Sequence, residues 1–66
     1  MTNQNYHIWE QLPDGRCAYL RQMAPVREEW VNDAGKWYYL GADGAMLAGT
    51  TTPDGYSVDA TGAWVA

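Results

Sequence analysis

The chain has 66 residues, with eight acidic and four basic side chains that give a net charge of −4, and it contains a single cysteine. A chain of this length forms at most one small domain, and no disulfide within the chain can stabilise it. The acidity argues against binding to nucleic-acid phosphates or anionic membranes, which require clustered Lys and Arg, and one Cys with one His falls short of the roughly four ligands of a structural zinc site.

Aromatic residues are the main apolar material of the chain, which has four Trp, five Tyr and no Phe. Each of these side chains carries an N–H or O–H group, so each suits a half-exposed position. No apolar run approaches the ~20 residues of a membrane span, and the start of the chain lacks a secretory signal. We therefore expect a cell-surface or secreted location if the chain is a fragment of a larger protein, and a cytoplasmic one if it is complete as written.

The first part of the chain predicts one weak hairpin. Residues 1–5 are polar and are predicted to be a disordered N-terminus. Residues 6–28 are predicted to form a degenerate first hairpin repeat and a connector, because Asp-Gly at Gly15 lies between two short aromatic stretches. Pro25 leaves an alternative open, in which a short helix occupies Val26–Trp30.

The rest of the chain repeats this pattern. Residues 29–49 predict a well-formed hairpin repeat around Gly35, and residues 50–66 predict a shortened, capping repeat around Gly55. The three turn glycines, at 15, 35 and 55, are 20 residues apart, and a fixed period indicates a repeat architecture. No segment has a sustained 3.6-residue apolar period. The sequence therefore predicts an all-β fold, a short β-hairpin solenoid of about three stacked hairpins.

The run from Trp30 to Met46 resembles the choline-binding, or cell-wall-binding, repeat of Gram-positive surface proteins, autolysins and phage lysins. Related repeats occur in glucan-binding proteins and clostridial toxin tails. The residues that carry the resemblance are Trp30, Trp37, Tyr38, Tyr39, Leu40, Gly44 and Met46. The resemblance is strong over residues 29–65 and weak over residues 6–28. It implies stacked hairpins with choline of teichoic acid bound between them, against two Trp of one repeat and a Tyr of the next.

Transferred to this chain, the resemblance implies a ligand site formed by Trp30, Trp37 and Tyr56, with Met46 on the connector closing it. Ring faces suit a quaternary ammonium, because that cation has no hydrogen-bond donor and each ring contributes about 0.5–2 kcal/mol. A possible second cage would use Trp9 and Tyr39, although Cys17 stands where its second Trp would be.

The same aromatic residues have an alternative role in packing one hairpin on the next. We expect core positions for Tyr19, Leu20, Tyr38, Leu40 and Val58. Trp64 is expected to cap the open end of the stack. Catalytic residues, metal ligands and cofactors are not predicted, since nothing in the sequence orients Cys17 and His7 as nucleophile and base, and most of the aspartates lie in glycine turns that they would stabilise.

Two functions follow from these patterns. The leading hypothesis is a non-catalytic module that binds choline, teichoic acid or a related cell-wall glycopolymer. The alternative is a small, acidic, free-standing inhibitor or adaptor of phage type that binds a basic protein surface. Self-association through the exposed solenoid ends is a further possibility, because such ends leave strand edges unpaired. We expect no nucleic-acid partner and no membrane partner.

Overall fold

The computed structural model describes residues 7–66, with His7 described by its backbone alone, and this part of the chain consists of strands and turns without a helix. The strands are β1 (His7–Gln11), β2 (Cys17–Arg21), β3 (Ala24–Pro25), β4 (Glu29–Asp33), β5 (Lys36–Leu40), β6 (Thr50–Thr51), β7 (Ser57–Val58) and β8 (Trp64–Val65). The predicted all-β fold is confirmed. The alternative helix over Val26–Trp30 is wrong, because β4 begins at Glu29. The predicted disorder of residues 1–5 lies outside the described residues.

The strands form three small antiparallel sheets that follow one another along the chain. Their strand orders are β1-β2-β3, β4-β5 and β6-β7-β8. A two-stranded hairpin is at best marginally stable in water, so each sheet needs the packing of its neighbours. The result is an elongated stack with extents of 40 × 26 × 17 Å, as expected for a hairpin solenoid.

The turn between β4 and β5 shows why the chain forms hairpins. Asp33 pairs with Lys36, so only Ala34 and Gly35 make the loop. Both have positive φ angles, 53° and 84°. This is the geometry of a two-residue type I′ turn, whose twist matches that of the flanking strands.

The first and third hairpins share a longer turn with the sequence X-Pro-Asp-Gly-X. In the first, the N–H of Leu12 donates to the carbonyl of Arg16 at 2.6 Å, and in the third the N–H of Thr52 donates to the carbonyl of Tyr56 at 2.7 Å. The glycine in each turn has a φ near 90°, which costs glycine little. The Asp-Gly pairs therefore close both hairpins.

The core lies between the hairpins. Tyr19, Val26, Val31 and Leu40 form its buried cluster, and Trp9, Tyr38 and Met46 pack against it half-buried. Of the residues expected in the core, Tyr19, Leu40 and Val58 are buried, and Leu20 and Tyr38 are half-buried.

One contact repeats between successive hairpins and shows that they stack in the same way. Trp9 Nε1 donates a hydrogen bond to Asp33 Oδ2 at 3.0 Å. Trp30 Nε1 donates to Asp54 Oδ2 at 3.1 Å, over the same separation of 24 residues. In both cases a tryptophan of one hairpin donates to an aspartate in, or directly before, the turn of the next hairpin. The stack therefore has two equivalent interfaces, and these are the places where a ligand site could form.

Candidate functional site: an aromatic cavity between the second and third hairpins

A cavity of about 330 Å³ lies at the second interface and is lined by Trp30, Trp37, Tyr56 and Trp64. The β4-β5 hairpin supplies the first two rings, and the terminal sheet with its turn supplies the other two. Three of the rings are substantially exposed: Trp37 by 45%, Tyr56 by 51% and Trp64 by 41%. Aromatic side chains that lie open to solvent around one concavity are the expected composition of a binding site.

Strand pairing places the rings of the second hairpin on one face. Trp30 is directly opposite Tyr39, and Trp37 precedes Tyr39 by two residues, so all three side chains share a face of the hairpin. Val31 and Leu40 belong to the opposite face and enter the core. The alternation of the strands thus separates the cavity face from the core face.

Tyr39 supports one wall of the cavity, the ring of Trp30. Its side chain is buried, and the ring of Trp30 lies against it with centroids 5.1 Å apart and an interplanar angle of 66°. Burial raises the pKa of Tyr39, and the nearby carboxylates of Asp54 and Glu28 raise it further. The phenol therefore stays neutral over the physiological pH range.

Tyr56 meets its two neighbouring rings in the cavity edge to face, without face-to-face stacking. Tyr56 lies nearly perpendicular to Trp30, with an interplanar angle of 79° and centroids 6.0 Å apart. It is similarly perpendicular to Trp64, at 78° and 6.4 Å. Such edge-to-face pairs are favourable contacts between aromatic rings. They hold the three rings around a hollow.

The structure brings together three of the four residues expected at this site, namely Trp30, Trp37 and Tyr56, but it places Met46 elsewhere. Met46 pairs with Leu40 in an isolated bridge, and its N–H donates to the carbonyl of Cys17 at 2.7 Å. Its side chain covers Gly62, where an added methyl group would lie 2.5 Å from Met46 Sδ. Met46 therefore packs beside the core and does not line this cavity.

The pair expected to form a second cage, Trp9 and Tyr39, is divided between the two interfaces. The ring contacts of Trp9 are with Tyr19, at 4.7 Å, and Tyr38, at 5.2 Å, whereas Tyr39 contacts Trp30. At the first interface Cys17 is opposite Gln11, in the place that Trp37 has opposite Asn32. The first interface therefore has the small side chain of Cys17 in the position where the second interface has the ring of Trp37.

Trp64 lines the cavity although the sequence suggested only a capping role for it. The signal that could have revealed it is its spacing, because Val58 to Trp64 spans the same six positions as Leu40 to Met46. The strand pairing shows the equivalence directly, since Trp64 is opposite Val58 as Met46 is opposite Leu40. The repeat motif alone did not reveal this role of Trp64, because the segments that follow the first and second hairpins carry no tryptophan at the equivalent position.

Several acidic side chains serve the turns, as predicted. Asp43 Oδ1 accepts a hydrogen bond from the N–H of Ala45 at 3.0 Å, and Asp59 Oδ1 accepts one from the N–H of Thr61 at 2.9 Å. Hydrogen bonding lowers the pKa of Asp43, mainly through the Ala45 N–H, and that of Asp59, mainly through the Thr61 hydroxyl. Among residues 7–66, no group of three or more potential metal ligands is present.

The fold and the cavity together define a class of protein, a β-hairpin repeat module with an aromatic cleft between repeats. The profile of the choline-binding repeat family matches residues 24–64. The structure is similar to the choline binding domain of Spr1274 from Streptococcus pneumoniae, with a TM-score of 0.74 and 34% sequence identity, over 88% of this chain and 69% of that one.

This chain therefore belongs to the choline-binding repeat family, and the resemblance carried by Trp30 to Met46 is confirmed. No curated protein matches the sequence. No helix in the described part of the chain is long and apolar enough to cross a membrane.

Proposed function

We propose that this chain is a non-catalytic module that binds choline, or the choline groups of a cell-wall polymer, in the cavity between its second and third hairpins. The observation that carries the proposal is the convergence of Trp30, Trp37 and Tyr56 on one solvent-accessible hollow. Family membership supports it. The corresponding location is the cell surface, where such a polymer is found.

The chemistry of the cavity suits a quaternary ammonium. Each ring attracts the cation through its negative face, for about 0.5–2 kcal/mol. A trimethylammonium group has no N–H, so it loses no hydrogen bond on entering a hollow made of rings. Asp54 lies beside the site through its bond with Trp30, and the net charge of −4 favours the approach of a cation.

One such cavity gives weak binding. A few ring contacts correspond to a dissociation constant on the order of 1 mM, or about −4 kcal/mol. A wall polymer carries many copies of its substituent, so useful retention requires several modules that act together. We therefore propose that the chain acts alongside other binding repeats.

Removal of one exposed ring tests the assignment. Trp37→Ala is expected to weaken choline binding about tenfold, measured by calorimetric titration, because it removes a wall whose side chain is 45% exposed and contributes little to the core. Ile8→Ala is the matched control, an exposed apolar side chain of β1 away from the cavity. Wild-type protein that shows no heat of binding at tens of millimolar choline would contradict the choline assignment.

The other two hypotheses from the sequence stay predictions. An acidic adaptor would retain one basic partner from a lysate in a salt-sensitive manner and would ignore choline. Self-association would involve the end of the stack, where Tyr56, Trp64 and Val65 are exposed, and sedimentation of the chain would reveal it.

A further inference from the structure

We propose that Asp54 is a site of spontaneous covalent modification, where the aspartate rearranges to isoaspartate through its bond to Gly55 and the aromatic cavity loses its shape. The modification depends on the fold alone. Its effect on ligand binding rests on the proposed function. On this account the cavity is the part of the chain that deteriorates first with age.

The chain has three Asp-Gly pairs, and their backbones are alike. The aspartates are Asp14, Asp43 and Asp54. In every pair the glycine has a φ between 83° and 92°, and its N–H donates to the carbonyl three residues earlier at 2.9 or 3.0 Å. Glycine has no side chain to obstruct attack by its own nitrogen on the preceding carboxyl group. Any difference in reactivity between the three pairs must therefore come from what holds each carboxylate.

Both oxygens of Asp14 and of Asp43 are held by hydrogen bonds. Asp14 accepts from the backbone N–H of Arg16 at 3.0 Å and from Arg16 Nε at 2.9 Å. Asp43 accepts from the N–H of Ala45 at 3.0 Å and from Arg16 Nη2 at 2.9 Å. The two backbone N–H groups are the main reason that the pKa of each carboxyl is lowered. A carboxylate that is kept ionised and fixed in place is a poor electrophile.

Asp54 lacks this protection for a reason that lies in the sequence of its turn. Within residues 7–66, it accepts a hydrogen bond only from Trp30 Nε1, through Oδ2 at 3.1 Å. The N–H two residues further on, that of Tyr56, donates instead to Thr52 Oγ1 at 3.3 Å. The first hairpin has Leu12 at the position of Thr52, and leucine has no hydroxyl to compete for that N–H. The Thr52 hydroxyl therefore leaves Asp54 Oδ1 unbonded.

The rearrangement needs no reactant other than water. The nitrogen of Gly55 attacks Cγ of the protonated Asp54 side chain, an N–Cγ bond forms, one C–O bond of the carboxyl breaks, and the oxygen leaves as water with the amide proton. Water then adds to the main-chain carbonyl carbon of Asp54, and the bond from that carbon to the nitrogen breaks. The chain now runs through Cβ and carries a carboxylate on Cα. The two steps release and consume one water, so the composition is unchanged.

Isoaspartate at this position alters two walls of the cavity. The main chain of the turn gains one atom, so the closure in which the N–H of Thr52 donates to the carbonyl of Tyr56 at 2.7 Å no longer fits. The shortened side chain withdraws the acceptor of Trp30 Nε1. Both rings line the cavity. We expect the choline affinity of the isoaspartyl chain to be about tenfold lower, as for the loss of one hydrogen bond to a charged group.

The test is storage of the purified chain in mildly acidic buffer, followed by quantification of isoaspartate at each Asp-Gly pair by peptide mass spectrometry. A protease that cleaves before aspartate but not before isoaspartate identifies the modified position. We expect isoaspartate to accumulate fastest at Asp54. Thr52→Val frees the neighbouring N–H and should slow the reaction at Asp54 severalfold. Arg16→Gln removes the guanidinium and should accelerate it at Asp14 and Asp43 only.

Equal accumulation at the three pairs, or slower accumulation at Asp54, in the wild-type chain would overturn the inference, and this comparison does not depend on any variant folding. The stored chain is then separated by chromatography and titrated with choline. Asp54→Glu is the control, because its longer side chain must close a less favourable ring, and it should keep its starting affinity on storage. An isoaspartyl chain that binds choline as well as the fresh chain would refute the effect on the cavity. A fresh wild-type chain that binds no choline would overturn the proposed function and leave the modification in place.

Discussion

Trp30 has two roles, because its ring lines the cavity while its indole N–H bonds to Asp54 of the next hairpin at 3.1 Å. The bond and the contact with Tyr39 fix the orientation of the ring before any ligand arrives. A wall that is already ordered loses little conformational entropy on binding. The same bond ties the second hairpin to the third, so this residue links the stability of the stack to the shape of the site.

Ala34 has a backbone conformation that is unfavourable for a residue with a Cβ atom. It is exposed, and its φ of 53° lies in the left-handed region, which costs most L-residues roughly 1–2 kcal/mol and asparagine less. Ala34→Asn creates the Asn-Gly pair preferred by this turn. We expect it to raise the free energy of unfolding by about 1 kcal/mol, measured by urea denaturation. Gly35→Ala should lower the free energy of unfolding, because the φ at that position is 84°. A decrease in the free energy of unfolding of Ala34→Asn would show that the turn is not of type I′.

At the scale of the hairpin, the sequence allowed the strands and turns to be predicted because their signals are local. Asp-Gly and Ala-Gly pairs between aromatic stretches predict turns, and alternation assigned Trp37 and Tyr39 to one face. The positions of Met46 and Trp64 were harder to predict, because they depend on how each connector returns to pair with the preceding strand. That pairing is non-local and has no motif of its own.

The equivalence of the two interfaces predicts that a second site can be built. Cys17 has the place of Trp37 in the first hairpin, and Trp9 already lies against Tyr38, as Trp30 lies against Tyr56. Cys17→Trp should therefore add one wall to a site that has the others. We expect calorimetry to report about two choline sites per chain in place of one, given one cage per interface.

Cys17→Ala serves as the control for loss of the thiol and should retain a single site. The backbone at position 17 is held by its hydrogen bond from Met46, so the substitution does not depend on a new strand register. A folded Cys17→Trp protein with one site would show that the first interface is closed for a reason other than Cys17.

The molecule as a whole is a stack whose stability depends on the contacts between hairpins. It is 40 Å long and 17 Å thick, so it has little interior. In such repeat structures each unit is stabilised chiefly by its neighbours. A ligand held by rings of both the second and the third hairpin binds only the stacked state, and it therefore stabilises that stack by mass action.

The most direct test of the central claim follows the four indole N–H signals by NMR while choline is added. The cavity is lined by Trp30, Trp37 and Trp64, whereas Trp9 packs at the first interface against Tyr19 and Tyr38. We predict that the first three signals shift together along one saturable curve and that the Trp9 signal stays in place. Equal movement of all four signals, or of the Trp9 signal alone, would contradict binding at the second interface.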